Sequence, residues 1–122
     1  DTRVRIFLND ALTSFTFPVL SEVGSEMIVF SNDALLSFEL PELNTVGEKL
    51  RVEKNPSLID FNLSSLGGVG AEFSMHTNMA LAQCLVDELV DQILTMGGST
   101  GETEMHDNKE GCTCEGKVAT CP

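Results

Sequence analysis

The stretch Asn32-Asp33-Ala34-Leu35-Leu36-Ser37-Phe38-Glu39-Leu40-Pro41-Glu42-Leu43-Asn44-Thr45-Val46-Gly47-Glu48-Lys49-Leu50-Arg51-Val52-Glu53-Lys54 is one complete unit of a pattern that recurs every 23 residues. Asn9, Asn32, Asn55 and Asn78 hold that step, as do Leu12, Leu35, Leu58 and Leu81. Phe15, Phe38 and Phe61 follow it, and so do Gly24, Gly47 and Gly70. A fixed period of this length marks a solenoid, in which each repeat is one coil stacked on its neighbours.

Within each unit the first segment alternates. Val4-Arg5-Ile6-Phe7-Leu8, Met27-Ile28-Val29-Phe30-Ser31, Leu50-Arg51-Val52-Glu53-Lys54 and Phe73-Ser74-Met75-His76-Thr77 all read as short strands. Side chains alternate across a strand. Val4, Ile6, Met27, Val29, Leu50, Val52, Phe73 and Met75 therefore face a core, and stacked coils pair these strands as a parallel sheet. The Asn after each strand sits at a bend, where an inward amide can bond otherwise unpaired backbone groups. The second half of each coil has apolar residues at steps of two and three, interrupted by Pro18 and Pro41, which exclude a helix. Gly24, Gly47 and Gly70 read as turn residues with positive φ.

Residues 83–96 depart from the repeat. Leu85, Leu89, Ile93 and Met96, with Val86 and Val90, make one helical stripe, while Asp87, Glu88 and Asp91 take the other face. Asp87 and Glu88 sit early enough to favour the helix dipole. Gly97-Gly98 ends the helix. Thr103-Glu104-Met105-His106-Asp107-Asn108 then echoes the segment from Phe73 to Asn78, 30 residues later, and reads as a last strand over 103–108. The expected organisation is a β-solenoid over residues 1–111, with a cysteine-rich tail, 112–122, packed on its helical cap.

The repeated Asn-x-x-Leu-x-x-Phe-x-Leu-Pro-x-Leu-x-x-Val-Gly-x-x-Leu-x-Val resembles the receptor L domain and its leucine-rich-repeat-like relatives, above all those of bacterial surface proteins and lipoproteins. Residues 4 to 108 carry the resemblance, and the helix with Cys84 is similar to the C-terminal end of such domains. The resemblance implies a mainly β, right-handed parallel β solenoid with one C-terminal capping helix. It also implies a recognition role, but carries over no contact residues, because such domains serve many ligands.

The chain has 19 Asp and Glu against 7 Lys and Arg, a formal charge of −12. That balance argues against nucleic acid and anionic lipid as partners, since both require a cationic face. No apolar run approaches the roughly 20 residues of a membrane span. The first coil carries no polar cap, although solenoids cover their terminal units. The chain thus reads as a processed or excised piece, with further coils or another domain expected ahead of Asp1, or a partner over that end.

Cys84, Cys112, Cys114 and Cys121 allow three pairings. Cys112 and Cys114 are too close for an unstrained mutual bridge, which leaves two pairings. Of these, Cys84–Cys112, tying the tail to the capping helix, with Cys114–Cys121, closing the turn at Glu115-Gly116-Lys117, is the expected one. Disulfides place the chain in an oxidising, exported compartment. A four-cysteine zinc site lacks its usual paired spacing here. Asn62-Leu63-Ser64 is a glycosylation sequon if the source modifies such sites.

Nucleophile elbow, zinc-protease and P-loop motifs are absent from the sequence. Gly97-Gly98-Ser99-Thr100-Gly101 lacks the P-loop lysine and follows a helix instead of opening one. No enzymatic activity, cofactor or metal is expected.

The outward strand positions stack into two rows: Phe7, Phe30, Glu53, His76, His106, and beside it Arg5, Ile28, Arg51, Ser74, Glu104. Two imidazoles and a carboxylate can hold a divalent ion, yet the polar members read as solvated side chains. Phe7, Ile28 and Phe30 form an outward apolar patch of the kind that marks an interface. The candidate binding face is Phe7, Ile28, Phe30, Arg51, Glu53, His76 and His106. Its expected partner is a protein or a surface glycan, bound by an extracellular recognition or adhesion module. The alternative is a structural spacer, whose sheet face would be polar or covered.

Overall fold

The structure is a computed structural model that describes residues 3–121. Asp1, ahead of which further coils are expected, lies outside the described residues.

Each of the first three coils contributes three short strands. In the first they are β1 (Arg3–Phe7), β2 (Ser14–Thr16) and β3 (Glu22–Val23); in the second, β4 (Glu26–Phe30), β5 (Ser37–Glu39) and β6 (Thr45–Val46). The third has β7 (Lys49–Glu53), β8 (Asp60–Asn62) and β9 (Gly68–Val69), and the fourth opens with β10 (Glu72–His76). Next come a helix, α1 (Gln83–Thr95), the strand β11 (Glu102–Glu104), and a hairpin of β12 (Thr113–Glu115) and β13 (Val118–Thr120). The chain is a β-solenoid, with sheets in the orders β1-β4-β7-β10-β11, β2-β5-β8 and β3-β6-β9. Every pair in these three sheets is parallel.

The register is the sequence step itself. Ile6, Val29, Val52 and Met75 are paired in turn, as are Val4, Met27, Leu50 and Phe73. The second halves stack as strictly. Phe15 lies on Phe38 at 5.2 Å between ring centres, and Phe38 on Phe61 at 6.0 Å. Leu35, Leu40, Leu43, Leu58 and Leu66 are fully buried between the sheets. Their first-coil counterparts Leu12, Phe17 and Leu20 are only half-buried, as are Val4, Ile6 and Phe15. The first coil has a neighbour on one side alone among the described residues.

The asparagines form a continuous ladder. Asn32 donates from its backbone N–H and from Nδ2 to Asn55 Oδ1, at 3.1 and 3.0 Å. Asn55 donates likewise to Asn78 Oδ1, and Asn78 to Asn108 Oδ1. Each Nδ2 also reaches a carbonyl of the preceding coil: Ile6 O, Val29 O, Val52 O and Met75 O in turn. The amides therefore use their donors and acceptors fully in a buried position. At the far end Asn108 Nδ2 donates to Gln83 Oε1, and the first residue of α1 closes the ladder.

Positive φ falls elsewhere than at the repeat glycines. Leu8, Ser31, Lys54, Thr77 and Asp107, the residues just before each Asn, have φ between 55° and 58°. A non-glycine residue there costs about 1 kcal/mol or more, which the Asn bonds on the next residue offset. Gly47 and Gly70 are not left-handed. They are needed for close approach instead, because a Cβ on Gly47 would overlap the Gly24 carbonyl, and one on Gly70 the Gly47 carbonyl. Gly70→Ala should therefore lower stability by about 2 kcal/mol or more, within the upper range of overpacking. Gly68→Ala, which would touch only Thr45 Cγ2 at 3.9 Å, should be close to neutral when both variants are compared by urea titration. Equal losses at both positions would contradict this account.

α1 buries Leu85, Val86, Leu89 and Ile93 against the last full coil. Met96 does not join the stripe: it is exposed, with its sulfur 3.3 Å from where a Gly67 Cβ would stand. Nor do Asp87 and Glu88 fall in the first turn, since the helix begins at Gln83. Gly97 ends it with φ 87°, its N–H donating to Leu94 O while Gly98 N–H donates to Ile93 O, a Schellman closure. Gln92 Nε2 donates to Leu63 O and Leu66 O at 2.8 and 2.9 Å, pairing coil carbonyls that face the helix.

The last strand is shorter than 103–108. β11 pairs Phe73 with Thr103 and Ser74 with Glu104, then the chain approaches the bend at Asp107. His106 O still accepts from Thr77 N–H at 2.9 Å.

The disulfides join Cys84 to Cys114 and Cys112 to Cys121, so both expected pairings are corrected. The cause is the hairpin. β12 and β13 are antiparallel, with Thr113 opposite Thr120 and Glu115 opposite Val118 across a turn at Gly116 and Lys117, both at positive φ. Extending that register puts Cys112 opposite Cys121. Cys114, two residues along on the same face, is left for Cys84 on α1. Lys117 Nζ adds a bond to Gln92 Oε1 at 2.8 Å, which with the Cys84–Cys114 bridge ties the hairpin to α1.

Candidate binding surface

The outer face of the five-stranded sheet carries both expected rows. β1, β4, β7 and β10 place Phe7 beside Phe30, Phe30 beside Glu53 and Glu53 beside His76. Arg5, Ile28, Arg51, Ser74 and Glu104 form the neighbouring row. The paired residues of β1, β4, β7, β10 and β11 share this face because a period-two strand in fixed register leaves no other side, while His106 lies beyond β11 and joins the row by stacking on His76.

The face divides in two. On the first coils it is apolar. Phe7 is 48% exposed, Leu8 beside it is exposed, and Ile28 and Phe30 are half-buried. Lys54 Nζ stands 5.5 Å from the centre of the Phe30 ring, within reach of a cation–π contact. Arg5 is drawn away from the patch by Glu26, whose Oε1 lies 3.2 Å from its guanidinium. That hydrogen bond, with the nearby Arg3 and Lys49 charges, holds the Glu26 carboxyl below its usual range.

On the later coils the face is polar and internally bonded. Arg51 Nε lies 3.3 Å from Glu72 Oε2. Ser74, fully buried, donates to Glu53 Oε2 at 2.9 Å, and His76 Nε2 lies 3.4 Å from the same oxygen. The His76 and His106 rings stack at 4.5 Å with 14° between planes. His106 Nε2 is 3.0 Å from Glu104 Oε2, and its Nδ1 is 2.8 Å from Asp107 Oδ2. The bond to Glu104, then that to Asp107, raises the His106 pKa above the ordinary imidazole value. The same bond lowers the Glu104 carboxyl. His76 Nδ1 pairs with Thr77 Oγ1 at 2.8 Å.

Thr77 and Asp107 were not among the expected site residues. They occupy the left-handed bend before Asn78 and Asn108, and that conformation turns their side chains toward the preceding histidine. The one sequence signal is the adjacency of His76-Thr77 and His106-Asp107 before the ladder residues.

A second concave feature has no counterpart in the sequence reading. A groove of about 380 Å³ runs between α1 and the β5–β8 edge. Phe38, Phe61, Leu85 and Leu89 contribute apolar lining, and Glu39, Asp60, Glu88 and Lys117 contribute charge. Placing a helix across a sheet edge creates it, and periodicity does not report that angle.

No protein-family model matches the chain, and no curated protein and no solved structure matches it either. Among the described residues no helix is long and apolar enough to cross a membrane.

Proposed function

We propose that this chain is a non-enzymatic extracellular recognition module, as the L-domain resemblance implies, and that it engages a protein or surface glycan through the outer face of its five-stranded sheet. The observation that carries this reading is the Phe7, Ile28 and Phe30 cluster. These residues sit in adjacent strands of a rigid sheet, and Phe7 stays half exposed. Covering a large apolar side chain is worth about 1.5–3 kcal/mol. A spacer gains nothing by keeping three such residues clustered on its outer face, whereas an interface does.

Two further observations support the reading. Two disulfides within 122 residues suit an oxidising, exported compartment. The charge of −12 disfavours nucleic acid as the ligand.

The double substitution Phe7→Ser and Phe30→Ser tests the proposal. Neither side chain faces the core, so the variant should keep the parent's far-ultraviolet spectrum and nearly its melting temperature. Its retention on immobilised surface proteins and glycans of the source cell should fall by about tenfold or more, equivalent to about 1.4 kcal/mol. Undiminished retention in a folded variant would leave the spacer reading.

A further inference from the structure

We propose that His76, His106 and Glu104 form a site for one divalent transition-metal ion of the zinc class, with the Glu53 carboxylate at its edge. This inference is independent of the recognition role and of the Phe7 patch. One ligand atom from each of His76, Glu104 and His106 lies within 4.8 Å of the others. These are the only two histidines in the chain, brought together by β10 and the residues just after β11.

The orientation of the imidazoles is the specific feature. Each has its Nδ1 held by the side-chain oxygen of the following residue, Thr77 Oγ1 and Asp107 Oδ2, both at 2.8 Å. Outer oxygens of this kind fix the ring and its tautomer in metal-ligating histidines, leaving the other nitrogen for the ion. Both Nε2 atoms already have a carboxylate beside them, Glu53 Oε2 for His76 and Glu104 Oε2 for His106. The two holders occupy the same structural position, the left-handed residue before a ladder Asn. The coil geometry therefore builds the arrangement twice, in adjacent strands.

Zinc takes nitrogen and oxygen ligands at roughly 2.0–2.2 Å, which places ligand atoms of a tetrahedral ion about 3.4 Å apart. Closing the cluster requires side-chain rotations that tilt the His106 ring out of its 14° stack on His76, so that both Nε2 lone pairs meet at one ion. His106 and Glu104, at 49% and 54% side-chain exposure, can make them without disturbing the core, while His76 at 14% is the fixed point. Water fills the remaining position. The donor set of two imidazoles and a carboxylate suits zinc, nickel or copper. It does not suit calcium or magnesium, which prefer all-oxygen sites. The nearest cationic group on this face, Arg51, is engaged by Glu72, and the net negative charge raises the local cation concentration.

Isothermal titration of the chelator-treated protein with zinc chloride tests the site. The expected result is one ion per chain, with His76→Ala and His106→Ala each abolishing the transition while keeping the parent's circular dichroism spectrum. Asp107→Asn should weaken binding by about tenfold, as loss of an outer-shell partner does. Cobalt should give a visible d–d absorption band in the parent and none in either histidine variant. Calcium should give no such saturable transition. Absence of zinc binding would overturn the proposal. So would binding of several ions that survives both histidine substitutions, which would mark scavenging by the acidic surface alone.

Discussion

Asn55→Ala is expected to destabilise the solenoid by about 3 kcal/mol or more, since each buried polar group left without a partner costs roughly 1–3 kcal/mol. Asn55 Oδ1 is the shared acceptor for the Asn32 backbone N–H and Nδ2. Its own Nδ2 serves Val29 O, Glu53 O and Asn78 Oδ1. Alanine removes all of these at a position with no solvent access. Asn9→Ala removes only the Nδ2 bond to Asn32 Oδ1 at the half-buried start of the ladder and keeps the backbone N–H bond to the same oxygen, and should cost about 1 kcal/mol. Asn55→Asp should be no better than alanine at neutral pH. It keeps the shape but replaces a double donor with an acceptor aimed at Val29 O and Asn78 Oδ1. Burial beside those oxygens would raise the new carboxyl's pKa, so this variant alone should regain stability as pH falls through that value. Urea titrations of the three variants at neutral and mildly acidic pH decide the matter. Equal losses for Asn55→Ala and Asn9→Ala would show that the ladder does not act as one cooperative row.

Loss of the Cys84–Cys114 bridge should have a comparable effect. It spans 30 residues, including most of α1 and all of β11. The loop-closure argument assigns such a cross-link roughly 3–4 kcal/mol, and about 2.5 kcal/mol to a 9-residue loop like that of Cys112–Cys121. The double variant Cys84→Ser and Cys114→Ser should therefore lose more stability than Cys112→Ser with Cys121→Ser. Non-reducing peptide mapping should recover Cys84 with Cys114 from the parent. A peptide linking Cys84 to Cys112 would instead displace the hairpin register on which the pairing rests.

The two expectations differ in how they were reached. The Asn ladder was legible because Asn9, Asn32, Asn55 and Asn78 repeat at one step, and a step that repeats is also a contact that repeats. The inward positions Met27, Val29, Leu50 and Val52 were legible for the same reason, as were the outward rows from Phe7 to His76. The disulfide pairing was not. It depends on where the β12–β13 turn falls, and a shift of one residue there exchanges which cysteine faces its partner strand. Met96 fits the periodicity of the stripe but is exposed, as the C-cap residue just past the helix end at Thr95.

The glycines show the same boundary. Their recurrence marked a tight requirement, but not its kind. Gly47 and Gly70 are small because successive coil backbones touch there, while the left-handed bend belongs to Leu8, Ser31, Lys54, Thr77 and Asp107. No residue type marks those bends, because the following Asn, not the bend residue, supplies the stabilising bonds.

By itself, then, the sequence determined the coil length, the strands, the core faces and the Asn row. In a solenoid each segment's neighbour is its own pattern displaced by one repeat, so local order and long-range contact are the same information. Only the tertiary structure decided the cysteine pairing, the groove beside α1 and the turning of His76 and His106 by Thr77 and Asp107. Those follow from the angle at which non-repeating segments pack and from backbone conformations that side-chain periodicity does not encode.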